Sequence, residues 1–211
     1  MKVVDLSHKF SVEDMVFPGT MGMSFERTHT TAEDHYNLSI ARINSHSGTH
    51  TDAPLHFIAG GDSLGEVPID RYVGSCVVAD CRDKGAFGTI GIDDIKPYED
   101  AVRKAGRVLI CTGWSKHFNE ECFFTDYPII SEELADYLVS LGIVLVGVEP
   151  PSLNPPKYIE VHQAFLKNNV AIVEGLTNLE ALIGKEFIFC GAPLAFEDMD
   201  GFPVRAYAIE F

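Results

Sequence analysis

Basic residues are scarce in this chain. Its 211 residues carry 16 Lys and Arg against 31 Asp and Glu, a formal net charge of −15 with histidine neutral. A surface of that sign offers no basic footprint, which excludes nucleic acid and anionic membranes as partners. Long apolar runs are missing too. No stretch of about 18 residues could span a bilayer, and Met1-Lys2-Val3-Val4-Asp5 lacks the apolar core of a signal peptide. The cysteines Cys76, Cys81, Cys111, Cys122 and Cys190 are odd in number and form no CxxC pair, so neither a disulfide framework nor a zinc ribbon is expected. Cys76 and Cys111 lie in apolar runs, where free thiols are commonly buried. A soluble protein of the reducing cytoplasm is the expectation. Repeats, low-complexity tracts and linkers are also absent. With 46% hydrophobic and 22% charged residues and no compositional break, residues 1–211 are expected to form one domain with one substantial core.

What is present is a series of short apolar runs rich in β-branched residues: Ser75 to Asp80, Arg107 to Thr112, Ile143 to Val148, Val170 to Val173 and Glu186 to Cys190. Such runs, bounded by glycine or charge, read as buried strands. Val204 to Phe211 alternates and reads as a further strand. Between them, Ser131 is a good N-cap for a helix from Glu132 to Leu141, with acids in its first turn and Gly142 as its stop. Glu99 to Lys104 and Glu160 to Asn168 are shorter helical candidates, and Asn178 to Ile183 adds a turn or two. Strands alternating with helices argue for an α/β fold, while the turn-rich first 70 residues suit antiparallel or irregular β structure.

The densest chemistry lies in His46-Ser47-Gly48-Thr49-His50-Thr51-Asp52-Ala53-Pro54-Leu55-His56, three imidazoles and a carboxylate within eleven residues. These nitrogen and oxygen donors suit zinc or manganese. A helix does not explain the set, because Asp52 would leave the face shared by His46 and His50, and Gly48 and Pro54 oppose helix. A straight strand would put 46 and 52 on one side but roughly 20 Å apart, too far for one ion. The chain must fold back, and Gly48 is the residue best able to allow it.

This segment resembles the HxGTHxDxPxH signature of the cyclase family of metal-dependent hydrolases, whose members include kynurenine formamidase (arylformamidase) and isatin hydrolase. Asp5-Leu6-Ser7 and Phe17-Pro18-Gly19 resemble its N-terminal stretch. His162 followed twelve residues later by Glu174-Gly175-Leu176 resembles its second ligand pair, and Gly201-Phe202-Pro203-Val204-Arg205-Ala206 its closing strand. The resemblance implies a swivelling β/β/α fold with a small β-barrel-like core. It also implies a first metal ligated by His46, His50 and Asp52, a second bound by His162, and Glu174 bridging both, with His56 as the acid–base residue. Two zinc ions per subunit are implied, manganese being the alternative, together with a small-molecule substrate and a homodimeric or homotetrameric assembly. Thr49 is expected to orient its neighbours, or to help hold the oxyanion.

Two departures bear on substrate. Phe17 stands where the formamidases carry tryptophan next to Pro-Gly, keeping an aromatic face for the substrate with less area and no indole donor. The family's Asp-Thr-Pro-Ser-x-Asp stretch reads Glu149-Pro150-Pro151-Ser152-Leu153-Asn154 here, in a loop expected to face the pocket. Three readings follow: cleavage of a formamide or small amide, opening of a cyclic amide or lactone, and metal binding without catalysis. His56 argues against the last, since a pure binding site needs no non-ligating base.

Overall fold

Four of the apolar runs lie side by side in the computed structural model, which describes residues 1–211. Strands Val77–Asp80, Arg107–Cys111, Leu145–Val148 and Ala171–Glu174 pair in parallel, in that spatial order. Beyond Ala171–Glu174, the strand His50–Asp52 adds antiparallel, and Gly201–Pro203 adds antiparallel to that. A second sheet is antiparallel, ordered Lys2–Asp5, Tyr207–Glu210, Phe187–Cys190 and Val73–Ser75.

Side-chain alternation explains the layering. In Arg107–Cys111, Val108 and Ile110 face the helices Glu99–Ala105, Glu132–Ser140 and Tyr158–Leu166, in a core shared with Val102, Leu134, Leu138 and Phe165. Leu109 and Cys111 face the opposite way and pack with Phe187, Phe189 and Ala208 of the antiparallel sheet. A strand buried on both faces needs apolar residues at every position, which is why these runs are continuous. The architecture is the expected β/β/α sandwich. Both sheets remain open, so the barrel-like core is realised as two stacked sheets and not as a closed cylinder.

Most expected elements appear with trimmed ends. Ser131 caps its helix, accepting a hydrogen bond from the Leu134 amide. Asn178 to Ile183 is a short 3-10 turn over Leu179–Leu182. One expected strand is split: the run from Ser75 breaks at Cys76, with Val73–Ser75 in one sheet and Val77–Asp80 in the other. The expected strand Val204 to Phe211 is shortened to Tyr207–Glu210 and the closing strand Gly201 to Ala206 to Gly201–Pro203, each in a different sheet. The early residues form an antiparallel hairpin, Ser24–His29 with Leu38–Arg42, exposed along nearly its whole length. No helix is long and apolar enough to cross a membrane.

Candidate metal centre and pocket

The 46–56 segment folds back as its composition demands. Gly48 adopts φ +60°, and a Cβ there would lie 2.9 Å from the Phe10 ring. The chain then enters the short strand His50–Asp52, whose alternation sends His50 and Asp52 to one side. A 3-10 turn over Pro54–His56 brings His56 back towards them. The ladder places Glu174 opposite His50, at the carboxyl end of its parallel strand. His162 reaches the same point from the helix that precedes that strand, with the Phe57 ring stacked on it at 4.5 Å.

The five expected ligands therefore converge. His50 Nε2 lies 3.7 Å from Asp52 Oδ1 and 3.4 Å from Glu174 Oε2. His162 Nε2 lies 3.2 Å from Glu174 Oε1 and 3.7 Å from Asp52 Oδ2. His46 Nδ1 is 2.9 Å from Asp52 Oδ1. Donor atoms approach within 4.8 Å of one another in two sets that share Asp52: His46, Asp52 and His56, and His50, Asp52 and Glu174. His50, Asp52, His162 and Glu174 are all buried.

Hydrogen bonding shows what this cluster is built to hold. His50 Nδ1 donates to the Gly48 carbonyl at 3.0 Å, and His162 Nδ1 donates to the Tyr158 carbonyl at 2.5 Å. With those protons fixed, each neutral ring aims a bare Nε2 lone pair at carboxylate oxygens, which themselves only accept. His50 Nε2 and Asp52 Oδ2 are buried with no hydrogen-bond partner. Lone pairs facing lone pairs in a buried site call for a cation, and the mixed His and carboxylate donors fit a divalent metal ion. Without one, protons substitute. Burial disfavours a charged His46, but hydrogen bonds to Asp200 and Asp52 outweigh it and push the ring up to about 10. His162 moves upward in the same way, the Glu174 contact outweighing burial. Burial alone would raise Asp52, yet the hydrogen bond with His46 leaves it well below the usual carboxylate range.

One residue in contact with the cluster escaped the sequence reading. Asp200 Oδ2 lies 2.9 Å from His46 Nε2 and 3.2 Å from His56 Nδ1, and both contacts hold its carboxyl far below the ordinary value. Its position follows from the edge strand. Gly201 pairs with Asp52, and the Asp200 carbonyl accepts from the Ala53 amide at 2.9 Å. A Cβ on Gly201 would sit 2.6 Å from His46 Cε1, so only glycine lets that ring lie against the strand.

The cluster opens into a cavity of about 520 Å³ walled by Phe17, Phe57, Phe124, Tyr127 and Tyr158, with His56, His162 and Glu174 at its base. Phe17 lines it as expected. Of the 149–154 loop, Pro151 and Ser152 reach the cavity but Glu149 does not. That carboxylate is buried and turned the other way, accepting from the amides of Thr112 and Gly113 and the hydroxyls of Thr112 and Ser115. Thr49 is also committed elsewhere: its hydroxyl donates to the Gly175 carbonyl at 2.6 Å and accepts from the His8 amide at 3.0 Å. It orients the backbone around the site and has no hydroxyl proton left for an oxyanion, so that part of the expectation is corrected. Trp114 packs with Phe123 and Tyr127, which makes it a core residue.

Residues 4–155 match the family described as "Putative cyclase". A kynurenine formamidase from Erythrobacter litoralis is 30% identical over 208 residues, covering 97% of this chain and 92% of the relative. Among solved structures, an isatin hydrolase bound to the product analogue thioisatinate superposes with a TM-score of 0.87 at 23% identity, over 100% of this chain and 93% of its own. A "potential metal-dependent hydrolase with cyclase activity" superposes with a TM-score of 0.81 at 26% identity, over 100% of this chain and 98% of its own.

Proposed function

Because the chain belongs to the cyclase family, we propose that it is a metal-dependent hydrolase that cleaves a formamide or small amide in the manner of kynurenine formamidase. The observation that carries this reading is the buried, proton-starved set of His50, Asp52, His162 and Glu174 at the base of an aromatic cavity. His46, His50 and Asp52 would hold one ion and His162 a second, with Glu174 shared between them. Zinc is favoured and manganese is the alternative, since this donor mixture accepts either. When bound, such ions lower the pKa of water from 15.7 towards about 7.

The chain's own residues do the rest. Phe17, Phe57, Phe124 and Tyr158 bind a flat substrate and exclude water around its carbonyl. His56 stands on the cavity wall with Nδ1 occupied by Asp200, which leaves Nε2 to take a proton from the attacking water. The same nitrogen then returns it to the departing amine. Residues 1–211 would act as one unit in the cytoplasm, where the five free thiols stay reduced, and as a homodimer or homotetramer.

A second reading, opening of a cyclic amide of the isatin type, is favoured by one observation. No Lys or Arg lines the cavity, so the carboxylate of an amino-acid substrate finds no ion-pair partner there, while a neutral ring needs none. Assays of N-formylkynurenine beside isatin discriminate the two; turnover of rings alone would remove the formamidase reading. His56→Ala should bind metal like the wild type while losing about 10²- to 10⁴-fold in kcat. If both proteins were equally inert across the panel, the chain would be a metal binder and no enzyme.

A further inference from the structure

We propose that Asp200 is a positioning residue that sets the ring tautomers of the metal ligand His46 and of the base His56 through a single carboxylate. The inference rests on the hydrolase reading above and extends it to a residue that the motif does not contain.

The two rings are stacked, their centroids 3.9 Å apart and their planes 27° from parallel. One oxygen, Oδ2 of Asp200, lies within hydrogen-bond distance of both, at His46 Nε2 and His56 Nδ1. A carboxylate only accepts, so each of these nitrogens must carry the proton. On His46 this leaves Nδ1, hydrogen-bonded to Asp52 Oδ1 at 2.9 Å in the metal-free fold, as the nitrogen that would give up its proton to bind an ion. On His56 it leaves Nε2 bare, as a base requires. Each outcome is the productive tautomer, and each neutral ring would otherwise be free to take the other. Carbonyls already fix the corresponding protons on His50 and His162; Asp200 does the same for the remaining pair.

The backbone is arranged to keep it there. Ladder pairing at Gly201–Asp52 and the Ala53 amide bond to the Asp200 carbonyl hold the residue beside the signature segment, 144 positions after His56. The side chain is itself part-exposed, so burial does not oppose its charge strongly.

The test uses the full chain loaded with zinc and labelled with ¹⁵N-histidine. Long-range ¹H–¹⁵N correlations on wild type should show His56 protonated at Nδ1 and bare at Nε2. In Asp200→Ala that signature should give way to mixed tautomers. Outer partners of metal-bound histidines are typically worth 10- to 100-fold in affinity or activity. Accordingly kcat should fall by about that factor with KM within about twofold, and zinc should pass to a chromophoric chelator faster. Asp200→Asn, isosteric and still an acceptor at one oxygen, should lie between the two, and it covers the case in which the alanine variant folds poorly. Unchanged ¹⁵N shifts in both variants, or unchanged kcat in both, would overturn the proposal. Absence of turnover in the wild type would overturn the hydrolase reading instead; the ¹⁵N shifts and the zinc-release rate would still judge the role of Asp200.

Discussion

His8 stacks on the Phe118 ring at 4.0 Å, and burial keeps it neutral, lowering its pKa to about 4. Its Nε2 has no partner in the fold. The unfolded chain would titrate this group near 6.5, so between pH 6.5 and 4 it binds a proton that the folded chain refuses. Stability therefore falls as pH drops through that window and is fully retained above it. His8→Phe should keep the stacking and flatten the dependence. Urea midpoints of the metal-free proteins at pH 7 and pH 5 measure this, and an equal acid-induced loss in both proteins would refute it. The comparison of single residues also shows what a sequence can disclose. His46, His50, Asp52 and His56 stand out because local spacing concentrates them. His162 and Glu174 stand out only through their likeness to a second pair. Asp200 is one of 31 acids, two residues after Asp198 and three after Glu197; only the pairing of the strand that follows it with His50–Asp52 distinguishes it.

Among the elements, the Ser24–His29 and Leu38–Arg42 hairpin is the one left without a partner. Its register sets Phe25 on one face and Leu38 and Ile40 on the other, all about half exposed. An isolated two-stranded ribbon is marginal in water, and both of these faces call for a cover. In the proposed homo-oligomer, a second copy of the chain would supply that cover. Replacing Leu38 and Ile40 with lysine should shift sedimentation to the mass of a single chain; an unaltered oligomer would show that assembly uses another surface. Periodicity found the interior strands because both of their faces are buried, but it misjudged where strands change sheet. Cys76 separates two strands of one apolar run, and Val204 to Ala206 crosses between the sheets, with the Val204 amide bonded to the Thr49 carbonyl and the Leu6 amide to that of Ala206. Nothing in hydrophobic alternation marks such a crossing, since both destinations are equally apolar.

For the molecule as a whole, the proposed metal centre would tie stability to its ions. Ligand binding to the folded state alone adds about 4 kcal/mol at a thousandfold excess over Kd. For a chain of this length that corresponds to on the order of 10 °C in Tm. Stripping with a chelator should lower Tm by about this amount and readdition of zinc should restore it; calorimetric curves that coincide with and without metal would contradict the proposed centre. The antiparallel sheet carries a different consequence. Lys2–Asp5 pairs with Tyr207–Glu210, far apart in sequence, and Gly201–Pro203 completes the edge beside Asp200. On a ribosome, residues 46–56 emerge long before the Gly201–Pro203 strand that lies beside them. The proposed centre is therefore assembled only after residue 203 has emerged, and any shorter nascent chain would lack it.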